Sequence, residues 1–197
     1  MKRIELFLLL VVIGSLWGFF EMLDLPVFIQ CAIGLFFLVT ARRIVNIPAT
    51  SIMIGLIVCI YKTYSDHFFI CQWAGVMALA GSFDFFTSVV VKKHWFEKYN
   101  PVILGVLTNI SAAIVFLVIV NYIFIEPYWP EGGIQRAIDY LLTRGLPASA
   151  LSGLISAPLG VYAAEKMMKR KFSFNRRLTP GFYLFTIASL WLIASIY

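Results

Sequence analysis

Apolar stretches alternate along the chain with short clusters of charged residues, proline and glycine. A bilayer-spanning helix needs about 20 apolar residues, and the second and third stretches, with about 15 each, would be tilted or partly re-entrant. We therefore predict an all-α, polytopic membrane helix bundle with six to seven transmembrane helices, formed as a single domain over residues 1–197. The predicted segments are residues 4–23, 26–40, 47–61, 68–91, 101–125, 147–168 and 180–197.

The basic residues indicate how these helices are oriented. If the N-terminus is cytoplasmic, thirteen of the 16 Lys and Arg residues fall on the inner side, and only Lys62, Arg136 and Arg144 fall outside. Basic residues collect in the cytoplasmic loops of membrane proteins, so this distribution predicts a cytoplasmic N-terminus. A seventh spanning segment would place the C-terminus outside. We expect an integral protein of a prokaryotic cytoplasmic membrane.

The longest outer connection has a helical pattern of its own. Its apolar residues recur at helical spacing, at Ile134, Ala137, Ile138, Leu141 and Leu142. Polar residues take the opposite side of the same helix. The pattern predicts a short amphipathic outer helix near residues 133–144, which would serve either as a lid over a pocket or as an interfacial anchor.

Composition excludes several classes of protein. Of the 197 residues, 61% are hydrophobic and 13% are charged, so the chain is too apolar to cover a soluble core. Its net charge of +6 follows from the inner loops and does not indicate a nucleic-acid partner. No P-loop, dinucleotide fingerprint or His-Glu-x-x-His helix occurs, and no cofactor is expected. The three cysteines match no ligand spacing, so no metal site is predicted.

One charged residue lies within an apolar segment. Asp84 is preceded and followed by apolar and small residues, roughly 10 Å inside the cytoplasmic end of its helix. Because a charge in the hydrocarbon layer is costly, Asp84 is a candidate either for function or for holding the helices together.

A second group of polar residues gathers at the outer ends of the first and third segments. One face of the first helix carries Gly14, Trp17, Gly18 and Glu21, since residues three and four apart are neighbours. The two glycines are typical of helix packing, whereas the Trp and Glu favour a pocket. A small-molecule site has apolar walls and a few oriented polar groups. We predict a solute site lined by Trp17, Glu21, Lys62, Asp66 and His67.

The sixth segment is rich in small residues. Gly153 and Ala157 lie on one ridge of this helix, and Gly160 lies on an adjacent ridge. Small residues four apart allow helices to approach closely. We predict that this helix is central in the bundle or faces a partner protein.

The chain resembles the substrate-binding membrane subunits of energy-coupling factor transporters in its size, its short-looped helices, its acidic and aromatic outer mouth and its small-residue run at 152–160. The likeness covers residues 1–170. It implies that a vitamin or similar micronutrient binds near the outer face, and that a transmembrane coupling subunit and two ATPases drive its uptake. Such subunits usually have six helices, whereas residues 180–197 add a seventh here. Their first helix usually carries Ala-x-x-x-Ala, where this chain has Gly14-x-x-x-Gly18.

Other functions compatible with the sequence come from different classes. An intramembrane enzyme acting on a lipid or lipid-linked substrate would need a nucleophile and base or paired carboxylates. Glu21 and Asp84 are the candidates, but their predicted depths lie near opposite faces. An accessory or scaffold subunit would use the small-residue helix to dock onto a larger membrane complex. A proton-coupled carrier would use Asp84.

Overall fold

The computed structural model describes residues 3–23, 25–64, 69–91, 96–97, 99–123, 131–169 and 179–196. Within these ranges the regular elements are all helical, which confirms the predicted all-α membrane helix bundle. The helices are α1 (Arg3–Met22), α2 (Val27–Ile44), α3 (Thr50–Lys62), α4 (Ile70–Val90), α5 (Asn100–Ile123), α6 (Gly133–Lys169) and α7 (Thr179–Ile196).

The helices differ in whether they are long enough to span a bilayer. In the described part of the chain, α1, α2, α4, α5 and α6 are long and apolar enough to cross. The second helix extends four residues beyond its predicted end at residue 40, because Arg42 is buried and paired within the bundle. The third has 13 residues, which is about 20 Å against a hydrocarbon core of about 30 Å.

Six helices form a closed ring in the spatial order α1, α3, α4, α5, α6 and α2. Across the centre of the ring, α2 also contacts α3 and α4. The last helix, α7, packs mainly against α1 from outside the ring, and its Trp191 ring lies 4.6 Å from the ring of Tyr61, centroid to centroid. The ring encloses space between its helices, and α7 takes no part in that enclosure.

Small residues set the closest contacts within the ring. On α1, Gly14 faces Ile57 of α3, and Gly18 faces the ring of Tyr61, where a Cβ would come within 2.6 Å of Cγ. The two helices can therefore approach this closely only because the α1 residues at the contact are glycines. Both glycines lie where the sequence placed a helix-packing face.

The small-residue ridges of α6 face inward. Gly153 packs against α5 and Gly160 against Val39 of α2, while Ala157 between them is fully buried. From the other side, Gly105 of α5 faces the backbone of Ser152. The sixth helix is thus one member of the ring and not its centre, and its small-residue ridges are occupied by its neighbours α2 and α5 of the same chain.

The predicted outer amphipathic helix and the sixth segment form one continuous helix of 37 residues. The sequence suggests a break at Gly145 and Pro147, since proline lacks an N–H and its ring clashes with the preceding turn. The structure instead has a wider π-helical turn at Leu141–Gly145, directly before Pro147, and a second one at Ser152–Ser156, before Pro158. These turns accommodate the prolines without ending the helix.

Substituting Gly105 with alanine tests the contact between α5 and α6. The new Cβ would lie 2.7 Å from the backbone oxygen of Ser152, so the two helices must separate. We expect Gly105→Ala to lower the free energy of unfolding by about 1–3 kcal/mol, measured as thermal unfolding in detergent. Gly81→Ala is the control, because a Cβ there meets no atom within 4 Å. An unchanged melting temperature for Gly105→Ala would show that the contact is loose.

Candidate functional site

A pocket of about 560 Å³ opens at one end of the ring. It lies where α1 and α3 end and where α2 and α4 begin, so the ring itself brings distant parts of the sequence together. Every helix of the ring contributes to its wall. The polar and aromatic residues that line it are Trp17, Glu21, Gln30, Lys62, Phe69, Gln72, Asn109, Phe116, Tyr140 and Arg144.

An ion pair between Glu21 and Lys62 joins α1 to α3 in the pocket wall. The Lys62 Nζ lies 3.2 Å from Oε2 of Glu21, and both side chains are less than a tenth exposed. The same ammonium donates a hydrogen bond to the backbone oxygen of Glu21. Carbonyl groups in the last turn of a helix have no partner within the helix, so Lys62 also caps α1.

Trp17 holds the Glu21 carboxylate from the other side. Its indole Nε1 donates to Oε1 of Glu21 at 3.0 Å, one helical turn along α1. The side chain is fully buried behind the carboxylate and packs on Gly34 of α2, where a Cβ would lie 2.7 Å from the indole Cε2. Trp17 is therefore a positioning residue for Glu21. Gly34 cannot be identified as a contact residue from the sequence, because a single glycine in an apolar helix carries no signal.

The wall opposite α3 is aromatic and basic. The rings of Phe116 on α5 and Tyr140 on α6 stack with centroids 5.3 Å apart and planes at 29°. The Arg144 guanidinium lies 5.8 Å from the Tyr140 ring centroid and is exposed at the pocket rim. The sequence placed Arg144 only on the polar side of the outer helix. Its place in the pocket follows from the continuous α6, which carries the end of that helix into the ring.

Two amides complete the polar lining. Gln30 donates through Nε2 to the backbone oxygen of Leu23 at 3.0 Å, and Asn109 donates through Nδ2 to that of Gly105 at 3.3 Å. Each amide is held by its NH₂ group, which leaves its carbonyl oxygen as an acceptor. Apolar walls with a few fixed donors and acceptors are the usual construction of a small-molecule site.

The structure describes three of the five residues predicted to line the solute site. The structure brings Trp17, Glu21 and Lys62 together in one pocket wall. Asp66 and His67 lie outside the described residues.

Asp84 belongs to a second buried ion pair at the opposite end of the bundle. Its Oδ1 lies 3.6 Å from Nη1 of Arg42, and Arg42 also donates to Ser88 at 2.8 Å. The other carboxylate oxygen accepts the backbone N–H of Ile52 at 3.3 Å, near the start of α3. Ile52 and Lys62 are ten residues apart on α3, about 15 Å, so Asp84 takes no part in the pocket.

No protein-family profile matches the chain, and neither a curated protein nor a solved structure is significantly similar to it. The residues that line the pocket are therefore the basis for any function assigned to it.

Removing one partner of the Arg42–Asp84 pair tests whether it holds the bundle together. Asp84→Asn leaves the buried guanidinium without its counter-charge, which costs about 3–5 kcal/mol of unfolding free energy. Adding Arg42→Met should recover much of that loss, because the unpaired charge is then gone. Thermal unfolding of the two variants and of the wild type measures this.

Glu165→Gln is the matched control. Its carboxylate also lies 3.6 Å from an arginine, Arg43, but the two side chains are 41% and 23% exposed. A surface pair contributes about 0–1 kcal/mol. If Asp84→Asn costs no more than Glu165→Gln, the buried pair does not stabilise the bundle.

Proposed function

We propose that this protein is the solute-binding membrane subunit of a transporter, which captures a small, vitamin-like molecule in the pocket at the outer face. The observation that carries this proposal is the pocket itself. A ring of six helices surrounds about 560 Å³ of space lined with fixed polar groups, and small-molecule sites range over about 300–1,000 Å³.

The Glu21–Lys62 pair has unused hydrogen-bond donors and acceptors that could bind a solute. An ammonium has three N–H donors, and Lys62 uses two of them, on the carboxylate and on the backbone oxygen of Glu21. The carboxylate of Glu21 can accept about four hydrogen bonds, of which Trp17 and Lys62 each supply one. The unused donor of Lys62 and the unused acceptor positions of Glu21 lie in the pocket wall, which favours a role in binding.

The proposed orientation has the N-terminus in the cytoplasm of a prokaryote and the C-terminus outside. The described residues Arg42, Arg43, Lys166 and Lys169 lie towards the end opposite the pocket, and this excess of positive charge supports the orientation. The proposed partners are a transmembrane coupling subunit and ATPases, and they come from the resemblance to energy-coupling factor transporters.

Two of the other functions, the intramembrane enzyme and the scaffold subunit, have less support. The carboxylates of Glu21 and Asp84 belong to separate ion pairs at opposite ends of α3, so they offer no shared site for an intramembrane enzyme. The small-residue ridges of α6 are covered by α2 and α5, which leaves a scaffold function without its expected docking face.

Filling the pocket should abolish binding without changing its charges. Gly75 lines the pocket, and a Cβ there would make an ordinary 3.8 Å contact with Phe116, so Gly75→Leu projects the rest of its side chain into free space. Small molecules released from gently purified protein would be identified by mass spectrometry and tested by thermal shift. We expect a stoichiometric, stabilising metabolite from the wild type and none from Gly75→Leu.

Gly81→Leu, on the same helix, is the control, since nothing lies within 4 Å of its Cβ position. It should retain the metabolite. Recovery of phospholipid alone from the wild type, with no stabilising solute, would overturn the proposed function.

The Glu21 carboxylate should contribute directly to affinity. Glu21→Gln keeps the size of the side chain, and Lys62 keeps its bond to the backbone oxygen of residue 21. We expect the affinity for the recovered metabolite to fall about 10–100-fold, the value of a hydrogen bond to a charged group. Titration calorimetry measures this. Normal binding by Glu21→Gln would show that this carboxylate makes no contact with the solute.

A further inference from the structure

The charged residues that the structure describes in the pocket lining do not balance. Among the described residues that line it, Glu21, Lys62 and Arg144 carry charge. The first two form an ion pair and cancel. Arg144 has no carboxylate within ion-pair distance in the part of the chain that the structure describes, and its contact there is the Tyr140 ring. The described lining therefore carries one positive charge in excess.

The position of Arg144 is set by the helix that carries it. It lies in the π-helical turn Leu141–Gly145, which widens α6 just before Pro147. This helix stands opposite α3 in the ring, so Arg144 and Lys62 face the same space from two sides. The aromatic wall formed by Phe116 and Tyr140 lies beside Arg144, opposite the helix that carries Lys62.

We infer that the captured solute is an anion: one carboxylate or phosphate group binds Arg144 at the rim, and a planar apolar body lies along Phe116 and Tyr140. A guanidinium presents a planar fork of N–H donors that matches either oxyanion with two parallel hydrogen bonds. A flat body gains from stacking on the aromatic wall. This inference rests on the proposed function and adds the chemical class of its substrate.

A cationic solute fits the same pocket poorly. Both Arg144 and Lys62 would repel it, and the negative charge of Glu21, the one carboxylate in the described lining, is already balanced by Lys62. A neutral solute would leave the Arg144 charge uncompensated. The charge of the described lining thus favours an anionic solute, and the aromatic wall then favours a flat one.

The experiment compares three probes of the same shape: naphthoate, naphthamide and naphthylmethylamine, which are anionic, neutral and cationic. Their affinities would be measured by calorimetry on full-length protein in phosphatidylcholine nanodiscs. We expect naphthoate to bind at least about tenfold more tightly than the amide and the amine to bind most weakly. Arg144→Gln should reduce the preference to less than about twofold. Arg136→Gln, the control on the same helix outside the pocket lining, should retain it.

Two results would overturn the anion inference and leave solute capture intact: equal binding of naphthoate and naphthamide by the wild type, or a preference that survives in Arg144→Gln. A lipid headgroup is the other source of an anionic group. If phosphatidylglycerol in the nanodisc displaces naphthoate from the wild type, Arg144 is a lipid site and the inference fails.

The recovered metabolite gives an independent readout. An anionic metabolite whose affinity falls in Arg144→Gln supports the inference, and a neutral or cationic one overturns it. If no probe binds and no metabolite is recovered, the proposed function fails and the inference fails with it.

Discussion

The length of α3 is the constraint on which the rest of the structure depends. With 13 residues, it is about 10 Å shorter than the hydrocarbon core, so its ends cannot both reach water. Within a bilayer every exposed backbone group needs a partner from the protein. Asp84 supplies one at the start, where the helix dipole favours a negative charge, and Lys62 brings a positive charge to the end. Each of these charges then requires its own partner, Arg42 at one end and Glu21 at the other.

The pocket lies at the end of the bundle where α3 stops. The end of α3 meets the end of α1 through the Glu21–Lys62 pair, and the other helices of the ring enclose the space beside this pair. Close packing elsewhere is achieved with small residues, as where Gly105 meets the backbone of Ser152. The bundle is therefore tight along its middle and open at one end, where the Glu21–Lys62 pair forms part of the wall.

Much of this architecture could be predicted from the sequence, because bilayer thickness and periodicity dictate it. The helical fold class follows from apolar length, and the meeting of Glu21 with Lys62 follows from alternation of helix direction, which brings the end of α1 next to the end of α3. The features that could not be predicted depend on contacts between helices that are distant in sequence. Two π-helical turns carry α6 through Pro147 and Pro158, and no local rule indicates such a turn. Arg144 enters the pocket only because of that continuity, and Gly34 matters only because Trp17 packs on it.

The continuous α6 has a mechanical consequence. Its 37 residues extend about 55 Å, more than the roughly 40–45 Å of a whole bilayer. A single helix therefore runs from the rim of the pocket, at Arg144, to the basic end at Lys169, about 37 Å away. Because the helix is continuous, a tilt at Lys169 also moves the pocket wall at Arg144, and the second widened turn, Ser152–Ser156, lies between the two.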